Sequence, residues 1–163
     1  MAKSEVLPKR YEFLDANDDA CQFRINIDVL NEAFGVGRGM YARACYPDKK
    51  DTYFKGENPS DKYFIWMPKL YGNSSEWKNI ISEDGSEIYE VAEPTRNEDW
   101  YDADNNNSEA MRIVFVKPDN KSPYKFVGVY KEGKMDYCNH TYVRVATKIK
   151  LIGNPVSKIE LIE

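Results

Sequence analysis

From Met111 onward the chain reads MRIVFVKPDNKSPYKFVGVYKEGKMDYCNHTYVRVATKI, a stretch with three strand signatures in succession. MRIVFV (Met111–Val116) is a β-branched, aromatic run of buried type, and YKFVGVY (124–130) is a second. TYVRVATKI (141–149) alternates with the two-residue period of a strand, and Glu132-Gly133-Lys134 is expected to turn the chain into it. Upstream, YFIWM (63–67) ends at Pro68, and residues 76–91 carry the alternation and central Asp84-Gly85 of a β-hairpin. A last strand is expected over 156–162. Ahead of all these, Asp28 as N-cap, Val29, Leu30, Ala33 and Phe34 at helical spacing, and Gly35 as C-cap describe a short amphipathic helix. Met40, Tyr41, Ala44 and Cys45 repeat that spacing before Tyr46-Pro47, predicting a second one. The expected fold is α+β: two short N-terminal helices packed on a curved antiparallel sheet or small β-barrel of six to seven strands.

The chain has 163 residues, enough for one hydrophobic core, so residues 1–163 are expected to form a single domain with 1–10 as a loose lead-in. No apolar run approaches the roughly 20 residues of a membrane-spanning helix. The opening MAKSEVLPKRYEF lacks the apolar core of a secretory signal, and a cytoplasmic location is the default expectation. Cys21, Cys45 and Cys138, odd in number and far apart, fit neither a disulfide framework nor a zinc ribbon and are expected to be reduced. No metal site and no cofactor are expected.

Net charge is -4, but it is unevenly placed. Residues 76–109 hold eleven acids against two bases, and residues 117–150 hold eight bases against three acids. The acidic stretch 83–109 could present a DNA-mimic-like face to a basic protein partner, whereas the basic strands suit an anionic ligand. Solvated surface charge is the plain alternative for both.

Signals for chemistry are sparse. The cluster Gly35-Val-Gly37-Arg38-Gly39 lacks the spacing of a dinucleotide or P-loop fingerprint; it serves equally as a C-cap and joint, with Arg38 free to touch a phosphate. The single histidine, His140, follows Cys138, but no third orienting group is identifiable. Residues 102–107 begin like a calcium loop, then place Asn107 where glycine belongs and Ile113 where glutamate belongs. A catalytic role is therefore not assigned.

Aromatics make up 13% of the chain, with twelve tyrosines. Trp66, Lys69, Tyr71, Trp77, Tyr130, Tyr142 and Arg144 lie on or beside the strands and are the candidate ligand-binding set; Arg38, Lys125 and Lys148 are the candidate phosphate contacts. Rings that stack on a flat base beside cations that meet phosphate make a nucleic-acid or nucleotide site. Strand aromatics also pack cores and cross-strand pairs, so both roles remain open.

The order YFIWMPKL, an SEDG hairpin, MRIVFVKP, YKFVGVYKEGK and TYVRVATKI, spanning residues 63–151, resembles the small β-barrel modules attached to bacterial restriction-type endonucleases and, more broadly, PUA-like reader domains. FVGVY followed by YVRVAT is the most specific piece; the first 60 residues carry no such likeness. The resemblance implies a non-enzymatic module that recognises nucleic acid or a modified nucleotide through an aromatic and basic pocket, in bacterial or phage defence. The alternative is an acidic interaction or inhibitor protein.

Overall fold

The structure is a computed structural model that describes residues 11–37, 44–47, 50–71, 77–92, 110–136 and 139–162, with the backbone alone for Lys50 and Trp77. Its strands are β1 (Phe13–Asp15), β2 (Gln22–Phe23), β3 (Cys45–Tyr46), β4 (Phe54–Lys55), β5 (Lys62–Trp66), β6 (Trp77–Ile81), β7 (Glu87–Ala92), β8 (Met111–Val116), β9 (Tyr124–Met135), β10 (Asn139–Ala146), β11 (Lys148–Ile152) and β12 (Lys158–Ile162). They form one sheet in the order β1-β11-β12-β4-β5-β8-β9-β10-β7-β6, with β2 added to β9 and β3 to β5. Two neighbours, β12 with β4 and β5 with β8, run parallel. Parallel strands cannot be joined by a tight turn, and the chain between β5 and β8 travels out through the β6–β7 hairpin at the far edge.

This corrects the expected fold class. The described residues are mostly β, with one helix of eight residues, a 3-10 turn at Lys50–Thr52 and a twelve-stranded mixed sheet that stays open, its path ending at β1 and β6 instead of closing into a barrel. Residues Asn26–Asp28 form an α-helical turn (α1) that continues as a π-helix over Val29–Ala33, burying Val29, Leu30 and Ala33, and Gly35 (φ 68°) ends it as expected. Asp28 lies inside the helix, and Ile25 holds the N-cap position. The second expected helix does not form at its C-terminal end: Cys45 and Tyr46 are extended and pair with Trp66 and Ile65. Met40 and Tyr41 lie outside the described residues, as does the calcium-like stretch 102–107.

Glu132-Gly133-Lys134 is not a turn, because β9 runs on to Met135. Gly133 lets β10 approach closely: a Cβ there would stand 3.0 Å from Val143 Cγ2. The expected strand 141–149 is two strands that break at Thr147. The hairpin, by contrast, forms around Gly85 (φ 79°) as its sequence dictates.

Alternation gives the sheet two different faces. Tyr63, Ile65, Ile113 and Phe115 point to the first, where Leu30, Phe34, Ile149 and Ile159 complete an apolar core around the helix. Phe64, Trp66, Val114, Tyr130 and Tyr142 point to the second. Among the described residues, the buried polar or charged side chains Arg112 and His140 belong to strands β8 and β10 of this second face. A bulge in β9 re-aims its side chains: Val114 pairs with Gly128 but Phe115 with Phe126. Gly128 adopts φ 133°, and a Cβ on it would lie 2.6 Å from Arg144 Cδ and 2.7 Å from the Ala146 carbonyl. Gly128→Ala is expected to cost more than about 1 kcal/mol and to lower the melting temperature by roughly 3 °C or more, measured by thermal unfolding.

Candidate nucleic-acid interface

The second face is organised around a buried cation. The Arg112 guanidinium lies 4.3 Å from the Tyr142 ring centroid, 4.8 Å from Trp66 and 5.1 Å from Phe64. Cross-strand register explains the convergence. Phe64 on β5 stands opposite Arg112 on β8, and Glu132 on β9 stands opposite Tyr142 on β10. Arg112 and Glu132 approach to 4.0 Å with side chains 8% and 6% exposed, so the charge is met by a carboxylate and by ring faces instead of water. Trp66 and Tyr142 are themselves in contact, with centroids 5.0 Å apart.

Beside this cage runs a polar row across three strands. His140 on β10 pairs with Glu90 on β7, which pairs with Asn79 on β6. His140 Nδ1 lies 3.4 Å from Glu90 Oε1, and the Tyr142 hydroxyl donates to the same oxygen at 3.0 Å. Asn79 Oδ1 is buried with no hydrogen-bond partner among the described residues. The row lies near one end of the sheet, where β6, β8 and β10 begin and β7 and β9 finish.

The structure brings together some of the sequence-predicted residues and separates others. Trp66, Tyr130 and Tyr142 are all buried in the second-face cluster. Tyr130 and Arg144 are engaged with the hairpin turn: the Tyr130 hydroxyl donates to the Gly85 carbonyl, and Arg144 donates to Asp84 O at 3.1 Å and Val127 O at 3.2 Å. Lys69 and Tyr71 sit together, Nζ 6.0 Å from the ring; Lys69 bridges to Lys117, and its carbonyl accepts from Asn79 Nδ2 at 3.4 Å, which brings this segment against the polar row. Lys125 donates to the Ala16 carbonyl at 2.6 Å, and Lys148 lies 5.0 Å from the Phe13 ring. The Trp77 side chain, Arg38 and Cys138 lie outside the described residues.

Of the four acids in the described part of 83–109, Asp84, Glu87 and Glu90 are tied into local structure and Glu83 is exposed. Asp84 Oδ1 accepts from Ser82 Oγ, Ser86 N and Ser86 Oγ, and these bonds, the Ser86 amide first, hold its carboxyl below the usual range. Glu87 accepts from the Tyr89 hydroxyl, and Glu90 faces His140. Sequence reasoning overlooked Arg112, Glu132, Glu90 and Asn79. One signal was available: Arg112 interrupts an otherwise apolar buried strand, where a lone charge must be answered across the sheet.

A profile of SRA, the SET and RING associated domain, matches residues 12–151, and the chain belongs to this family. The match begins far upstream of the 63–151 segment that carried the sequence resemblance and takes in the helix. Among solved structures, "The 5-Hydroxymethylcytosine-Specific Restriction Enzyme AbaSI" is 27% identical, with a TM-score of 0.61. The shared region covers 85% of this chain and 42% of that enzyme, so the chain spans less than half of its length. No curated protein sequence matches. The PUA-like resemblance expected from the strand order is thus borne out at the level of the SRA family, and the likeness to a restriction enzyme is one of structure.

Two outcomes are expected from these contacts. Glu132→Ala leaves the Arg112 charge buried and unanswered and should lower stability by about 3–5 kcal/mol, while Arg112→Leu combined with Glu132→Leu should recover much of the loss in denaturant unfolding. Burial, reinforced at Tyr63 by Asp61 and Glu57, pushes the Tyr63 and Tyr130 phenols from 10.0 up to about 12. Their contribution is whole below pH 10 and drains away as pH rises from about 10 toward 12; melting temperature against pH, with tyrosinate absorbance, measures it.

Proposed function

We propose that this chain is a non-enzymatic module that binds DNA carrying a modified cytosine, as the recognition part of a restriction or phage-defence system. The observation that carries the reading is the SRA match over residues 12–151, joined to 27% identity with an enzyme described as 5-hydroxymethylcytosine-specific. The second face supports it chemically. Enzymes that act on a base commonly take it out of the stack and hold it between rings, reading its edge by hydrogen bonds. Trp66 and Tyr142, 4% and 0% exposed and closed around Arg112, supply the ring wall behind the base-reading carboxylate. Cytosine offers an exocyclic amine that carboxylates accept, and Glu90 is the carboxylate beside those rings, with His140 and Asn79 flanking it.

In this reading Lys69 and Tyr71 border the polar row, Tyr130 and Arg144 hold the hairpin beside it, and Lys125 and Lys148 are candidate phosphate contacts; the Trp77 side chain and Arg38 lie outside the described residues. Alanine is a poor probe at Trp66 or Arg144. Trp66 is 4% exposed, so its truncation costs about 3–5 kcal/mol, and Arg144 anchors the hairpin. Glu90→Gln preserves shape and removes charge. Fluorescence anisotropy with duplexes holding one 5-hydroxymethylcytosine, one 5-methylcytosine or cytosine alone is expected to give at least about tenfold tighter binding to a modified duplex, with Glu90→Gln weakening binding to that duplex by about tenfold. Equal affinity for all three duplexes overturns the proposal.

A further inference from the structure

The second face does not end at the aromatic cage. On β5, Lys62, Phe64 and Trp66 alternate onto one side, and cross-strand pairing carries that side outward: Lys62 opposes Lys55 on β4, and Lys55 opposes Lys158 on β12. Tyr53, two residues before Lys55, stacks on Phe64 at 4.9 Å, which fixes Lys55 on the same side as the cage. Lys148 and Lys150 extend the surface on β11, flanking Phe13, an exposed ring 5.0 Å and 6.0 Å from their ammonium groups. Along these strands five lysines meet three carboxylates, Glu12, Asp15 and Glu160.

Three like charges directly opposite one another across neighbouring strands repel. Lys150 has Glu12 at 3.9 Å, but Lys55, Lys62 and Lys158 form no ion pair among the described residues. Strands lie about 4.8 Å apart, so the three ammonium groups cover about 10 Å, a span along which a DNA duplex carries several phosphates. We infer that Lys62, Lys55 and Lys158, continued by Lys148 and Lys150, form a rail for the DNA phosphate backbone that leads away from the aromatic cage on the same side of the sheet. This deepens the DNA-binding reading and rests on it.

The test is the salt dependence of affinity for a duplex with one 5-hydroxymethylcytosine and for its unmodified counterpart, in the wild-type protein and in the triple variant Lys55→Gln, Lys62→Gln, Lys158→Gln. Each lost phosphate contact flattens the slope of log affinity against log salt by about 0.9. The variant is expected to bind both duplexes at least about fivefold more weakly at 50 mM salt, with a slope shallower by about two to three, an unchanged preference for the modified base and a melting temperature no lower than wild type. A variant with the full wild-type slope and affinity overturns the rail, and a persisting preference in that experiment leaves the base reading standing. A flattened slope with no preference in either protein supports the rail and overturns the base reading. No binding by the wild-type protein overturns both.

Discussion

A guanidinium buried on a sheet face has to be solvated by the protein, and on this sheet that requirement links four strands. Arg112 from β8 is met by Phe64 and Trp66 from β5, Glu132 from β9 and Tyr142 from β10. None of these contacts is available within one strand, so each depends on register. A slip of one residue anywhere in β5-β8-β9-β10 would turn Arg112 or its partners onto the apolar first face. The ion pair adds little net stability over an apolar replacement, since both groups were taken out of water. Its consequence is specificity of pairing, with Tyr142 handing its hydroxyl to Glu90 and so joining the cage to the polar row on β7 and β6.

The edge hairpin depends on the same strands through different atoms. Arg144 occupies the space beneath Gly85 and beside Gly128, where a Cβ would come within 2.6 Å of it, and donates to the carbonyls of Asp84 and Val127. Tyr130 adds a bond to Gly85. Backbone carbonyls of a five-residue turn that would otherwise face water are thereby tied to the sheet, which orients β7 and with it Glu90. Arg144, a candidate ligand contact in the sequence, is here engaged with the backbone of the turn and of β9.

What was legible follows from length and period. Long, strongly patterned strands were read to within a residue or two: Met111–Val116, the 63–67 run, and the hairpin around Asp84-Gly85. Two-residue strands such as β2, β3 and β4 are too short to show a period, so they were missed and the sheet was counted at half its size. Ala44 and Cys45 fit a helical spacing, yet pairing of Cys45 with Trp66 on β5 overrode it. The parallel contacts β5–β8 and β12–β4 have no local signal at all, and they are what makes the sheet mixed. At the site, the aromatics were legible by type and the rings of Trp66 and Tyr142 do meet; Glu90, Glu132 and Asn79 were not, because a carboxylate or amide on a strand declares its face only once its register is known.

Charge shows the same dependence on register. Along the chain, bases concentrate in 117–150, yet among them Lys117 and Lys125 donate to the backbone carbonyls of Ser122 and Ala16, and Arg144 to those of Asp84 and Val127. The lysines that align instead come from sequence positions 55, 62 and 158, two of them in the part of the chain where no basic run is visible. They meet because a parallel pairing places the last strand beside β4, and they share a side with Phe64 and Trp66 because β5 alternates. A protein with net charge -4 can in this way present a locally cationic strip beside aromatic rings. In the proposed reading, affinity for a polyanion rests on the strip and discrimination on the carboxylate beside the rings, separable terms carried by opposite halves of one sheet face.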